Sequence, residues 1–186
     1  MLPKKYMKGV DYDPFDGLPG VFATPHYKQA HSWRYVCSYT DGKRHKQRIF
    51  ELLAKYGQPE ARGDWDLHHV VEGQHFADVD FAGRLGVMYQ EELPVVLIHK
   101  PEHHTYNQLL HITETDELFR DQLPSALLVR SKTAQTAARD PAQRAVLQRR
   151  VQQLALLYQQ AYAGDFVLQR ISRNVFDDAL QVLSKS

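Results

Sequence analysis

The chain has 186 residues, of which 43% are hydrophobic and 24% are charged, and its formal net charge is +1. This length favours a single domain, and this composition is typical of a soluble globular protein. No apolar run approaches the ~20 residues that a membrane helix needs, and the N-terminus lacks the apolar segment of a secretory signal peptide. The one cysteine, Cys37, excludes an internal disulfide and a cysteine-based zinc site.

Charge is distributed unevenly along the chain. Residues 1–64 contain 11 Lys/Arg and 7 Asp/Glu, residues 65–118 contain 2 and 10, and residues 119–186 contain 10 and 5. An acidic centre favours a bound cation, and basic flanks favour a polyanion such as nucleic acid. Ordinary scatter of charges explains the same numbers equally well.

The first third of the chain predicts an arm, a strand and a helix. Residues 9–25 are rich in Gly, Pro and Asp, which indicates turns or an extended arm. Aromatic and β-branched residues favour a strand at 31–40. Asp41 suits the N-cap of a helix over 43–56, where apolar residues recur at helical spacing.

The rest of the chain predicts two further strands and then helices. These elements are a strand at 66–72, a buried strand at 94–99, a helix from Pro101 to about 111, a helix from Asp140 to about 163 and a helix at 174–183. Residues 74–92 fit no single element.

Six of the ten histidines lie in two short stretches, 65–73 and 99–111. His68 and His69 are neighbours in a predicted strand, so their rings should point to opposite faces and have different roles.

On the predicted helix, His104, Asn107 and His111 lie within an arc of about 60°. His104 and His111 are about 10 Å apart along the helix axis, so the expected ligand pairs are His104 with Asn107, or Asn107 with His111. One of the rings of His68 and His69 could then share a metal ion with the helix, and the other could face the attacking water.

Hydrolysis of a phosphodiester bond needs a base for the attacking water and positive charge at the phosphate and the leaving oxygen. A histidine with a pKa near neutrality supplies the base, and a divalent ion supplies the charge. With one cysteine in the chain, the ligands of such an ion would be His, Asn, Asp or Glu.

These residues resemble a known nuclease core. A strand with Leu67-His68-His69, an apolar strand and a histidine-bearing helix opened by Pro101 are similar to the ββα-metal (His-Me finger) core of HNH and endonuclease VII nucleases. The triplet resembles those of the LHH and AHH groups, which are common as bacterial toxin nuclease domains. The resemblance covers residues 64–112.

The resemblance implies an α+β fold in one domain, 1–186. The ββα-metal core at 64–112 would be flanked by an N-terminal arm, strand and helix at 1–63 and by a helical extension at 113–186.

It also implies roles for single residues. His69 matches the general base, and the matching metal ligands are His68 and His104, with Asn107 or His111 as the further helix position. The doublet His103-His104 leaves a one-residue ambiguity on the helix. Glu72 is a further candidate, either for binding the metal or for orienting a ligand.

The implied activity is a metal-dependent endonuclease of little sequence specificity, with DNA as the expected substrate and RNA as the alternative. One divalent ion would be its cofactor, with Mg²⁺ first and Zn²⁺, Ni²⁺ or Mn²⁺ as alternatives. As an antibacterial toxin, it would be made in the cytoplasm and could be delivered into a target cell without a classical signal peptide. Its partners would be nucleic acid and a cognate immunity protein, with no membrane.

A compact basic run at the start of the first helix is a candidate for phosphate contact. Its members are Lys43, Arg44, Lys46 and Arg48. The alternative is a solvated helix face.

Two other classes of function fit the same residues. A non-catalytic, histidine-rich zinc module for protein binding would have a closed tetrahedral site. A helical adaptor would act through residues 119–186, with the histidines purely structural.

Overall fold

The structure, a computed structural model, describes residues 2–24, 34–55, 65–72, 93–110 and 141–185. Within these ranges, a short 3-10 helix at Lys4–Met7 precedes five strands and four α-helices. The strands are β1 Asp13–Pro14, β2 Val21–Thr24, β3 Arg34–Ser38, β4 Trp65–His69 and β5 Pro94–His99. The helices are α1 Tyr39–Lys55, α2 Lys100–Leu109, α3 Pro141–Ala161 and α4 Phe166–Lys185.

The strands form one antiparallel sheet in the order β1-β2-β3-β5-β4. The expectation of an α+β fold is therefore confirmed. β5 is central, with Leu97 opposite Tyr35 of β3 and Val96 opposite His68 of β4. β4 lies at the edge of the described sheet, so the two adjacent histidines are at its border.

Helices cover both faces of this sheet. On one face, Val36, Val96 and Ile98 pack in a core with residues of α3 and α4, while on the other Cys37 and Val95 pack with α1. The alternation of side chains along each strand separates these two cores. α1 approaches the sheet closely because residue 42 is glycine: a Cβ there would lie 3.1 Å from the sulfur of Cys37.

Two predicted elements agree closely with the structure, and the start of α1 does not. β5 has the predicted bounds, and α3 follows the predicted helix. The prediction that Asp41 is the N-cap of α1 is wrong. Ser38 has that role, since its hydroxyl oxygen accepts a hydrogen bond from the Asp41 backbone N–H at 3.1 Å and its O–H donates to the Asp41 carboxylate at 2.7 Å.

The last helix begins about two turns earlier than predicted. It begins at Phe166 because Asp165 caps it, its carboxylate accepting a hydrogen bond from the Leu168 backbone N–H at 3.0 Å. The predicted arm contains β1 and β2, and residues 74–92 lie outside the described residues. None of the described helices has the length and apolar character needed to cross a bilayer.

Candidate active site

Strands β4 and β5 and helix α2 bring two histidines together. β5 ends at His99, which is the N-cap of α2, and Pro101 lies in the first turn of that helix. Because β4 pairs with β5, α2 starts beside β4 and packs against it. As a result, the ring centroids of His68 on β4 and His103 on α2 are 5.1 Å apart.

The ring of His68 is fully buried and has a defined tautomer. Its Nε2 lies 2.8 Å from the hydroxyl oxygen of Tyr162, which itself donates a hydrogen bond to the carbonyl of Val70 at 2.8 Å. The hydroxyl has one proton, which it donates to Val70. His68 Nε2 is therefore the donor to the hydroxyl oxygen, and Nδ1 carries a lone pair. Among the described residues this buried Nδ1 has no hydrogen-bond partner.

Burial also keeps His68 uncharged. It lowers the pKa of the imidazole to about 3, with further contributions from His103, His69 and Arg34. The neutral ring is the form that binds a cation.

His103 is held by a carboxylate. Its Nδ1 lies 3.1 Å from the Asp66 carboxylate, which can only accept, so the Nδ1–H of His103 donates there. Asp66 was not among the predicted site residues. The signal was present, because residues two apart in a strand share a face and Asp66 therefore accompanies His68.

The ring of His69 points to the other face of β4, as the strand period predicts. It is half-buried and packs against Tyr39 of α1, with ring centroids 4.7 Å apart. Burial lowers its pKa, and the nearby His103 lowers it further. The ring is therefore neutral near pH 7, as a proton acceptor must be.

The other predicted ligands described on α2, His104 and Asn107, are not buried with His68. His104 is exposed, and its Nε2 is 3.1 Å from the side-chain nitrogen of Gln108. Asn107 is also exposed, and His111 lies outside the described residues. The geometry thus favours His103 over His104 in the doublet.

Glu72 is half-buried just beyond β4. Its backbone N–H donates to the hydroxyl oxygen of Tyr158 at 2.9 Å. Burial raises the pKa of its carboxyl to about 7, so the group is partly protonated at neutral pH.

Two of the four predicted phosphate contacts lie beside the histidines. The ammonium of Lys43 is 4.3 Å from the ring centroid of Tyr39, the residue that packs on His69. The ammonium of Lys46 is 3.7 Å from the Asp66 carboxylate.

The other two cations pair within α1. Arg44 lies 3.6 Å from the Asp41 carboxylate, and Arg48 lies 3.1 Å from that of Glu51.

A buried ion cluster positions α2. Arg34 of β3 contacts Glu102 of α2 at 2.5 Å and Asp165, the cap of α4, at 2.9 Å. Glu102 precedes His103, so this cluster fixes the part of α2 that faces His68. Sequence analysis missed it, because its members are up to 131 residues apart and share no local pattern.

The spacing of the two imidazoles is compatible with a shared metal ion. Two rings bound to one Zn²⁺ through nitrogens at about 2.0–2.1 Å have centroids roughly 5 Å apart, close to the 5.1 Å between His68 and His103. Partners on the opposite nitrogens, Tyr162 and Asp66, are also typical of metal-bound histidines. The described residues contain no group of three or more His, Cys, Asp or Glu that could hold a metal.

Similarity to other proteins gives no independent guide to the role of this site. Comparison of the chain with protein-family models, with curated proteins and with solved structures found no match.

Proposed function

We propose that the protein is a metal-dependent endonuclease that hydrolyses phosphodiester bonds of DNA with little sequence specificity. The observation that carries this proposal is the buried lone pair of His68 Nδ1, without a donor among the described residues and beside His103. A buried acceptor without a donor is costly, and a cation is the ligand that compensates it. In this proposal β4, β5 and α2 form a ββα-metal core.

His68 and His103 would hold the divalent ion. When bound, the ion supplies positive charge that stabilises the scissile phosphate and the leaving oxygen. Tyr162 and Asp66 orient the two rings through hydrogen bonds to their other nitrogens. The set of two imidazoles leaves positions for substrate oxygens and water, as a catalytic site requires.

His69 is the proposed general base. It lies next to a metal ligand in the chain but on the other face of the edge strand, so its ring is not taken up by the ion. Packing against Tyr39 restrains the ring. Its lowered pKa keeps it neutral and able to accept a proton from the attacking water.

The cations of α1 support a nucleic-acid substrate. Lys43 lies over the tyrosine that packs on His69, and Lys46 lies beside the Asp66–His103 pair. Ammonium groups there can contact phosphates on either side of the scissile bond, which positions the backbone without reading bases. In the antibacterial role implied by the sequence resemblance, a cognate immunity protein would cover this surface.

A plasmid-nicking assay tests the proposal. Wild-type protein should convert supercoiled plasmid to nicked and linear forms with Mg²⁺ or Mn²⁺, and EDTA should stop the reaction. His69→Ala should lower the rate by about 10²–10⁴-fold while its thermal unfolding stays close to that of wild type. Nicking that persists in EDTA, or in His69→Ala, contradicts the proposal.

The complete burial of His68 favours a second candidate, a structural zinc module, because a closed site needs no access to substrate. This candidate predicts tight Zn²⁺ binding by wild type and by His69→Ala alike, with no nicking by either protein. The two readouts together therefore separate the two functions.

A further inference from the structure

We infer that Tyr162, in the turn directly after helix α3, is a positioning residue that fixes the tautomer and orientation of His68. The inference rests on the proposed function in one respect only, the use of His68 Nδ1 as a metal ligand. It assigns part of the site to the C-terminal helical region, outside residues 64–112.

The argument begins with the hydroxyl group of Tyr162. This group lies 2.8 Å from both His68 Nε2 and the Val70 carbonyl oxygen. A carbonyl oxygen can only accept, so the hydroxyl proton goes to Val70 and the hydroxyl oxygen accepts the Nε2–H of His68. The lone pair of His68 is thereby placed on Nδ1.

The position of this hydroxyl is rigid. The Tyr162 ring is fully buried and meets Tyr106 edge-to-face, with centroids 4.9 Å apart. Tyr106 in turn stacks on His68 at 5.5 Å. The imidazole therefore cannot rotate without losing both the hydrogen bond and the stacking contact.

A second tyrosine provides a matched control. Tyr158 lies four residues before Tyr162, is also fully buried, and its hydroxyl oxygen accepts the backbone N–H of Glu72 at 2.9 Å. Both hydroxyls hold the segment that follows β4, but among the described residues it is the hydroxyl of Tyr162 that is hydrogen-bonded to His68. Tyr158→Phe therefore removes a comparable buried hydroxyl without touching the imidazole.

The experiment compares wild type, Tyr162→Phe and Tyr158→Phe. Nitrogen-15 NMR of the metal-free protein at pH 7 reports the His68 tautomer, and competition with a chromophoric chelator reports Zn²⁺ affinity. Wild type should show the two separate nitrogen shifts of a pure Nε2–H tautomer. In Tyr162→Phe these shifts should move toward each other, the Nε2 proton should exchange faster, and Zn²⁺ should bind about 10–100-fold more weakly. Tyr158→Phe should match wild type in all three.

Two results would overturn the inference: equal changes in both tyrosine variants, or a wild-type spectrum with the proton on Nδ1. The second result is decisive even if Tyr162→Phe does not fold, because it needs wild type alone. Absence of plasmid nicking by wild type would overturn the proposed function instead, and the nitrogen shifts would still decide the role of Tyr162.

Discussion

The two faces of the edge strand β4 give adjacent histidines different environments. On the face toward α3, His68 is fully buried, hydrogen-bonded to Tyr162 and in ring contact with His103. On the face toward α1, His69 is half-buried and has Tyr39 and, beyond it, Lys43 as neighbours. One ring belongs to the core and the other to a surface that carries Lys43.

This difference shows how one strand can supply both parts of a hydrolytic site. The period of two separates neighbouring side chains by the thickness of the sheet, so in the proposed site the same dipeptide would provide a buried ligand and an accessible base. An interior strand would bury both rings under helices. At an edge, the second ring keeps access to solvent.

The largest effect should come from removing each histidine in turn. His68→Ala leaves a cavity and a Tyr162 hydroxyl without its donor, so we expect a loss of about 2–4 kcal/mol in the free energy of unfolding. His69→Ala should cost less than about 1 kcal/mol, because its ring is half-buried and its contact with Tyr39 is ring packing rather than a hydrogen bond. Denaturant unfolding in EDTA measures both. Similar losses of unfolding free energy in the two variants would mean that both faces of β4 hold their histidines equally firmly.

A second comparison sharpens the assignment on α2. His103→Ala should weaken Zn²⁺ binding by about 10–100-fold, since it removes one of the two proposed ligands. His104→Ala should change affinity by less than about 2-fold, because that ring is exposed beside Gln108. Chelator competition provides the measurement. The reverse order would return the ligand role to His104, the position implied by the sequence resemblance.

Some features of the site can be predicted from the sequence alone, and others cannot. The opposite facing of His68 and His69 follows from strand periodicity alone, and the bounds of β5 follow from an uninterrupted apolar run. The choice between His103 and His104 does not follow from the sequence, because a shift of one residue rotates the side chain by about 100° around the helix. The rotation of α2 is set by Glu102, held by Arg34.

Tyr162 shows a stronger limit on what can be predicted from the sequence. It contacts His68 across 94 residues, and no local pattern connects a tyrosine at the end of a long helix to a strand of the sheet. Asp66, two residues from His68, could have been found from the strand period. Neighbours within one strand, such as Asp66 and His68, can be predicted from the sequence. Contacts between distant elements, such as that of Tyr162 with His68, depend on how whole elements pack.

A third prediction concerns Glu72, which lies just beyond β4. Its folded pKa of about 7 exceeds its ordinary value of 4.5, so its contribution favours the folded state below pH 4.5 and is lost as pH rises through 7. Glu72→Gln, which mimics the protonated form, should match wild type at pH 4.5 and be more stable at pH 8 by about 1–2 kcal/mol. Thermal unfolding in EDTA at the two pH values checks this. A variant less stable than wild type at pH 8 would show that the carboxylate is stabilised there.

The smallest expected effect is on DNA affinity, and it should differ between two cations of α1. Lys46 lies beside the Asp66–His103 pair, whereas Arg48 is exposed and pairs with Glu51. Lys46→Gln should weaken binding of a short DNA duplex by about 2–5-fold and lower the slope of log affinity against log salt by about 1. Arg48→Gln should do neither.

Fluorescence anisotropy in a His69→Ala background, with Mg²⁺ present and cleavage blocked, measures both quantities between 50 and 200 mM salt. This salt range spans the conditions in which counterion release dominates backbone binding. Equal losses for both variants would mean that α1 attracts DNA through its overall charge. A loss confined to Lys46→Gln would instead place the phosphate backbone at the edge of β4, where the buried and the accessible histidine meet.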